Sequence, residues 1–155
     1  MISRLVHLLT GQDETSKERR HDRVQLAVAV LLLEMAHADR TFAPLEKKLV
    51  NGLLRERFGL DAGQADELIA AAEKKRDESF DLHQFTRLIN EHFTLEEKLE
   101  VMEGLWRLVY ADGELDRYED ALARQLAGLL RLSHRQAISM KLRVLDEVDP
   151  ERRRR

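Results

Sequence analysis

Residues 24–38 read Val24-Gln25-Leu26-Ala27-Val28-Ala29-Val30-Leu31-Leu32-Leu33-Glu34-Met35-Ala36-His37-Ala38, and only Gln25, Glu34 and His37 interrupt the apolar character. A surface helix keeps its apolar residues on one stripe. A helix apolar nearly all round is covered by neighbours on several sides. The run is well short of the ~20 residues that span a bilayer, so it reads as the central helix of a soluble bundle. Working outward, Pro44 sits where a first helical residue tolerates proline. Leu45, Leu49 and Leu53, with Val50, Leu54 and Phe58, form the stripe of the next helix, which Gly59 ends. Asp61 with Gln64 starts a third helix through about Lys75, and Asp81 with Gln84 a fourth that packs Leu82, Phe85, Leu88 and Ile89. Thr94 with Glu97 starts a fifth, whose face Leu95, Leu99, Met102, Trp106 and Val109 marks a second central helix. Asp116 with Glu119 and Ser133 with Gln136 start the sixth and seventh. Five capping boxes in phase with five helical periodicities predict an all-α bundle of about seven helices.

Upstream, Ile2, Leu5, Val6, Leu8 and Leu9 predict a short amphipathic helix over Met1–Thr10, followed by a charged linker or helix start over Gln12–Arg23. The expected organisation is an N-terminal helix and linker over 1–21, a helical domain over 22–148 and a basic disordered tail over 149–155. Composition agrees: of 155 residues, 43% are hydrophobic and 35% charged, with two prolines and seven glycines, which disfavours a turn-rich β fold. Absence of cysteine excludes a disulfide scaffold, a thiolate zinc site and cysteine catalysis, and suits a cytoplasmic protein. The net charge of −3 hides an asymmetry, because Arg152–Arg155 supply four positive charges. Without residues 151–155, 22 basic residues face 28 acidic ones. An acidic body disfavours a nucleic-acid face, which needs clustered Lys and Arg, so the expected partner is another protein.

The chain repeats itself at an offset of 73 residues. Ala38, Asp39 and Glu46 align with Ala111, Asp112 and Glu119; Phe42 meets Leu115, Leu49 meets Leu122 and Leu53 meets Leu126. After a one-residue gap, the helix cap Asp61 meets the cap Ser133. Each half is a buried helix, an Ala-Asp turn, an amphipathic helix and a capped third helix. Together they predict a pseudo-twofold bundle with 24–38 and 95–110 at its centre.

The repeated helix-Ala-Asp-x-x-apolar-x-x-x-Glu pattern resembles the TerB-like family, named for a tellurite-resistance protein and related to the amino-terminal domain of a membrane-anchored DnaJ-type co-chaperone. The stretches Phe80-Asp81-Leu82-His83-Gln84-Phe85-Thr86-Arg87-Leu88-Ile89-Asn90 and Leu105-Trp106-Arg107-Leu108-Val109-Tyr110-Ala111-Asp112-Gly113-Glu114-Leu115-Asp116 resemble its short bacterial members. The likeness covers about residues 22–147 and is strongest over 80–132. It implies an internally duplicated helical domain with divalent-metal sites at the two Asp-containing turns. The expected role is non-enzymatic, because nothing in the sequence orients a nucleophile or marks a substrate pocket, within a stress-response or membrane-associated assembly.

The residues themselves allow two readings of the second turn. Asp112, Glu114, Asp116 and Glu119 place carboxylates at alternate positions, with Gly113 to permit a sharp bend. Such a turn can converge the several oxygens that Ca²⁺ or Mg²⁺ requires, although it lacks the twelve-residue EF-hand loop. Alternatively, Asp116 and Glu119 are a capping box, and acids in a helix's first turn simply complement its dipole. The first-half copy keeps Asp39 and Glu46, but Arg40 brings a positive charge that opposes a cation. On the buried helix, Glu34 needs a partner; Arg107, its equivalent at offset 73, is the expected one. No two of the six histidines stand at i, i+4, so no zincin-type pair is present. Trp106 reads as core. The functional expectation is a cation-binding scaffold or sensor, the alternative a metal-free interaction domain, and a metal-dependent hydrolase ranks third.

Overall fold

The computed structural model describes residues 16–38, 44–78, 81–111 and 117–151, with side chains for all but 16–21, 44, 45 and 117. Seven helices account for most of them, and no strand occurs among the described residues: α1 Ser16–Ala36, α2 Pro44–Phe58, α3 Ala62–Glu78, α4 His83–His92, α5 Leu95–Val109, α6 Arg117–Leu129 and α7 His134–Val148. The helix expected over Met1–Thr10 lies outside the described residues. So do both Asp-containing turns, apart from their flanks.

Capping chemistry sets most of the starts. At α3, the Asp61 carboxylate accepts from the Gln64 N–H (2.8 Å) while the Gln64 side chain accepts from the Asp61 N–H (3.0 Å). The same reciprocal pair forms at Thr94 and Glu97 for α5 and at Ser133 and Gln136 for α7. The α1 helix begins at Ser16, so of the two readings of the charged segment the helix start holds for 16–23; Lys, Glu and Arg are good helix formers. One boundary differs from expectation. At α4 the cap position falls on Leu82, and Asp81 instead accepts from His83 N–H (2.9 Å), two residues on. That is an Asx-turn rather than a capping box.

The centre is α1 against α5. Val24, Ala27 through Leu33, Met35 and Ala36 are buried on α1; Val101, Met102, Leu105, Trp106, Leu108 and Val109 are buried on α5. Close approach is possible because α5 carries Gly104, where a Cβ would lie 3.5 Å from Leu32 and 3.7 Å from Leu53. Around this pair, α1 packs against α2, α3, α4 and α6, while α5 packs against α2, α6 and α7. The pairings of α1 with α2 and α3, and of α2 with α3, are matched by those of α5 with α6 and α7, and of α6 with α7. The short helix α4 lies over α1 and α6, where Phe85 and Ile89 are buried.

The two halves also share turn geometry. At the end of α2, Gly59 has φ +65° and Leu60 N–H returns to Arg55 O; at the end of α6, Arg131 has φ +59° and Leu132 N–H returns to Ala127 O. Both are left-handed helix terminations followed by a cap. The second makes a side-chain-bearing residue adopt the conformation that glycine takes at the first.

Candidate functional site

The turn between α5 and α6 is approached from a well-packed end. Tyr110 N–H donates to Trp106 O and Ala111 N–H to Leu108 O, as His37 donates to Leu33 O and Ala38 to Met35 O at the end of α1. The Trp106 ring is fully buried, stacks on Tyr110 (centroids 6.3 Å apart) and donates from Nε1 to Ala137 O on α7 at 3.0 Å. That agrees with its reading as core.

Of the four acids expected to form a cation site, Asp112, Glu114 and Asp116 lie outside the described residues. Glu119 is placed: it stands in the first turn of α6 and is only 5% exposed. In the first-half copy, Asp39 lies outside the described residues and Glu46 is half-buried in the first turn of α2. Among the described residues, no three or more His, Asp or Glu side chains converge as metal ligands.

Beside Glu119, Asp120 carries a cluster that periodicity did not single out. Its two oxygens accept from Arg124 Nε and Lys141 Nζ, each at 2.9 Å, and the same ammonium lies 5.2 Å from the Trp106 ring centroid. Lys141 thus joins α7 to the foot of α6 by an ion pair and to α5 by a cation–π contact. The i, i+4 spacing of Asp120 and Arg124 was visible in the sequence. The partnership with Lys141 was not, because it depends on how α7 packs.

The expected Glu34–Arg107 pair does not form. Glu34 accepts from Arg76 Nε on α3 (2.8 Å), one turn from a His37–Glu73 contact of 2.8 Å. Arg107 donates to Glu103, one turn back, and to Glu147 on α7. Glu34 lies beside α3 and Arg107 beside α7, so each finds a counter-ion there. Burial alone would lower the Arg107 pKa, but the hydrogen bonds it donates to Glu147 and Glu103 raise it on balance, so it stays charged.

With this geometry in place, the family model described as tellurite resistance protein TerB matches residues 25–142. The chain belongs to the TerB family. The match runs from the buried part of α1 into α7 and so takes in both central helices. A crystal structure of a protein of unknown function from Porphyromonas gingivalis is similar, with 26% identity and a TM-score of 0.58 over 77% of this chain and 94% of that one. No functionally curated protein matches the chain significantly. Among the described residues, no helix is long and apolar enough to cross a membrane.

Proposed function

We propose that this TerB-family chain is a non-enzymatic module that binds a divalent cation, Ca²⁺ or Mg²⁺, in the turn between α5 and α6. It serves as a scaffold or sensor for a protein partner in a tellurite-resistance-like stress response in the bacterial cytoplasm. Asp112, Glu114, Asp116 and Glu119 would supply hard oxygen ligands. The observation that carries the reading is the burial of Glu119 directly after the acidic turn. Its place in the first turn of α6 sets its carboxylate next in the chain to the acidic turn, as a hard oxygen donor. An ion in the turn would fasten the end of α5 to the start of α6, where Trp106, Lys141 and Asp120 already connect both to α7. The copy at Asp39 and Glu46, with Arg40 beside it, would be the weaker site.

A second reading, a metal-free interaction domain, is favoured by the capping boxes at Asp61, Thr94 and Ser133, which complete their helix starts with no ion. Calorimetric titration of chelator-stripped protein with Ca²⁺, Mg²⁺, Mn²⁺ and Zn²⁺ separates the two. The cation reading expects saturable binding of Ca²⁺ or Mg²⁺ that Asp112→Asn/Asp116→Asn abolishes. Silence for every ion selects the interaction domain, with the acids acting as caps.

A further inference from the structure

The helix α7 packs on α5 and α6 with Ala137 and Val144 buried, and turns its opposite face outward. At 3.6 residues per turn that outer face carries Arg135, Ser139, Leu142 and Asp146, spaced i, i+4, i+7 and i+11. Leu142 is 41% exposed, one of four exposed large apolar side chains among the described residues. Charge along α7 runs against the helix's own dipole. Its first turn holds His134 and Arg135 and no acid; its last turn holds Asp146 and Glu147 and no base. A helix by itself favours the reverse order. Glu147 is answered by Arg107 on α5. Arg135 is exposed and has no ion-pair partner among the described residues.

A second α7 running antiparallel supplies what is missing. Reversing the outer face sets Arg135 opposite Asp146 and Ser139 opposite Leu142, each pairing occurring twice about a twofold axis between Ser139 and Leu142. Each basic start then meets an acidic end, the two helix dipoles oppose, and Leu142 seats over a side chain small enough to let the helices approach. A parallel copy would instead oppose like charges. From this self-complementarity we infer that the outer face of α7 is a dimer surface whose occupant is a second copy of this chain, paired antiparallel. One helix face per copy makes a small interface, so the dimer is weak and concentration-dependent, and its exposed ion pairs make it sensitive to salt. The pairing requires no ion in the turn between α5 and α6, so chelator-containing buffer separates it from the cation reading.

Sedimentation equilibrium of the full chain in such a buffer, from about 10 μM to 1 mM, should show the average mass rising toward that of a dimer. Arg135→Glu and Asp146→Arg each set like charges opposite one another twice and should weaken association at least roughly tenfold. Both remove a charge that the α7 dipole disfavours, so the fold should persist, as circular dichroism would read. Mixing the two variants sets every new charge opposite its complement, and the equimolar mixture should recover association to within about threefold of the unaltered chain. A purely structural role for either residue would give no recovery on mixing. A monomer at every concentration overturns the proposal and leaves the face to an unlike partner. Association unchanged in Arg135→Glu, or lost in both variants without recovery on mixing, overturns the antiparallel pairing.

Discussion

Arg131 is the residue at which local preference and fold disagree most plainly. Its φ of +59° is a conformation that costs a side-chain-bearing residue roughly 1 kcal/mol relative to glycine. The carbonyls ending α6 are nonetheless well served: Asn90 Nδ2 donates to Leu129 O and Lys98 Nζ to Leu130 O, both at 2.9 Å. These bonds, with the buried Leu130 and Leu132 on either side, hold the turn in place. Arg131→Gly should therefore stabilise the protein by about 0.5–1 kcal/mol, less than the full strain because glycine also gains freedom in the unfolded chain. Urea unfolding of the two proteins measures this; a loss of stability would mean that the Arg131 side chain contributes more than its backbone strain costs. The sequence announced the equivalent termination at Gly59 by the glycine itself. Nothing local announced the one at Arg131.

At the scale of elements, charge partnerships decide how helices are tied. Arg57, near the end of α2, donates to Glu97 and Glu100 on α5 (2.7 and 2.8 Å) and lies 5.1 Å from the Phe93 ring centroid. The Glu97 pKa is lowered, first by the Thr94 backbone N–H that it accepts in the capping box and also by Arg57; partial burial opposes both. With the folded-state pKa below the unfolded one, this group's stabilisation is fully present above the unfolded value of about 4.3 and is lost as pH falls through the folded value. Glu97→Gln should thus lower stability at pH 7 while flattening its decline between about pH 5 and 3. Thermal melts across that range would read it, and parallel acid limbs in the two proteins would refute it. The capping box was legible from Thr94 and Glu97 alone, since it links residues three apart. The reach of Arg57 across to α5 was not, nor were the ties of Glu34 to Arg76 and Arg107 to Glu147. A long charged side chain pairs with whatever packing brings within several ångströms, and sequence spacing does not encode that.

For the whole molecule, the consequence of a shared centre is cooperativity. The two central helices cover each other, and α4 closes over both α1 and α6, so neither half buries its apolar helix alone. Leu32, on α1, sits against Gly104 of α5 and is 3% exposed. Leu32→Ala should cost about 2–5 kcal/mol and lower the melting of helical circular dichroism and of Trp106 fluorescence together, although Trp106 belongs to the other half. Separate transitions would mean two folding units. At this scale the sequence by itself determined the all-α class, the positions of the helices, the central role of residues 24–38 and 95–109, and the resemblance that the family match bears out. These follow from periodicity and capping, which operate over three or four residues and survive any arrangement of the helices. The tertiary structure decided the rest: the counter-ions of Glu34, Arg57 and Arg107, the left-handed turn at Arg131, and the Lys141 bracket on Trp106 and Asp120. Each depends on residues far apart in the chain being brought together, and only packing of the apolar faces does that.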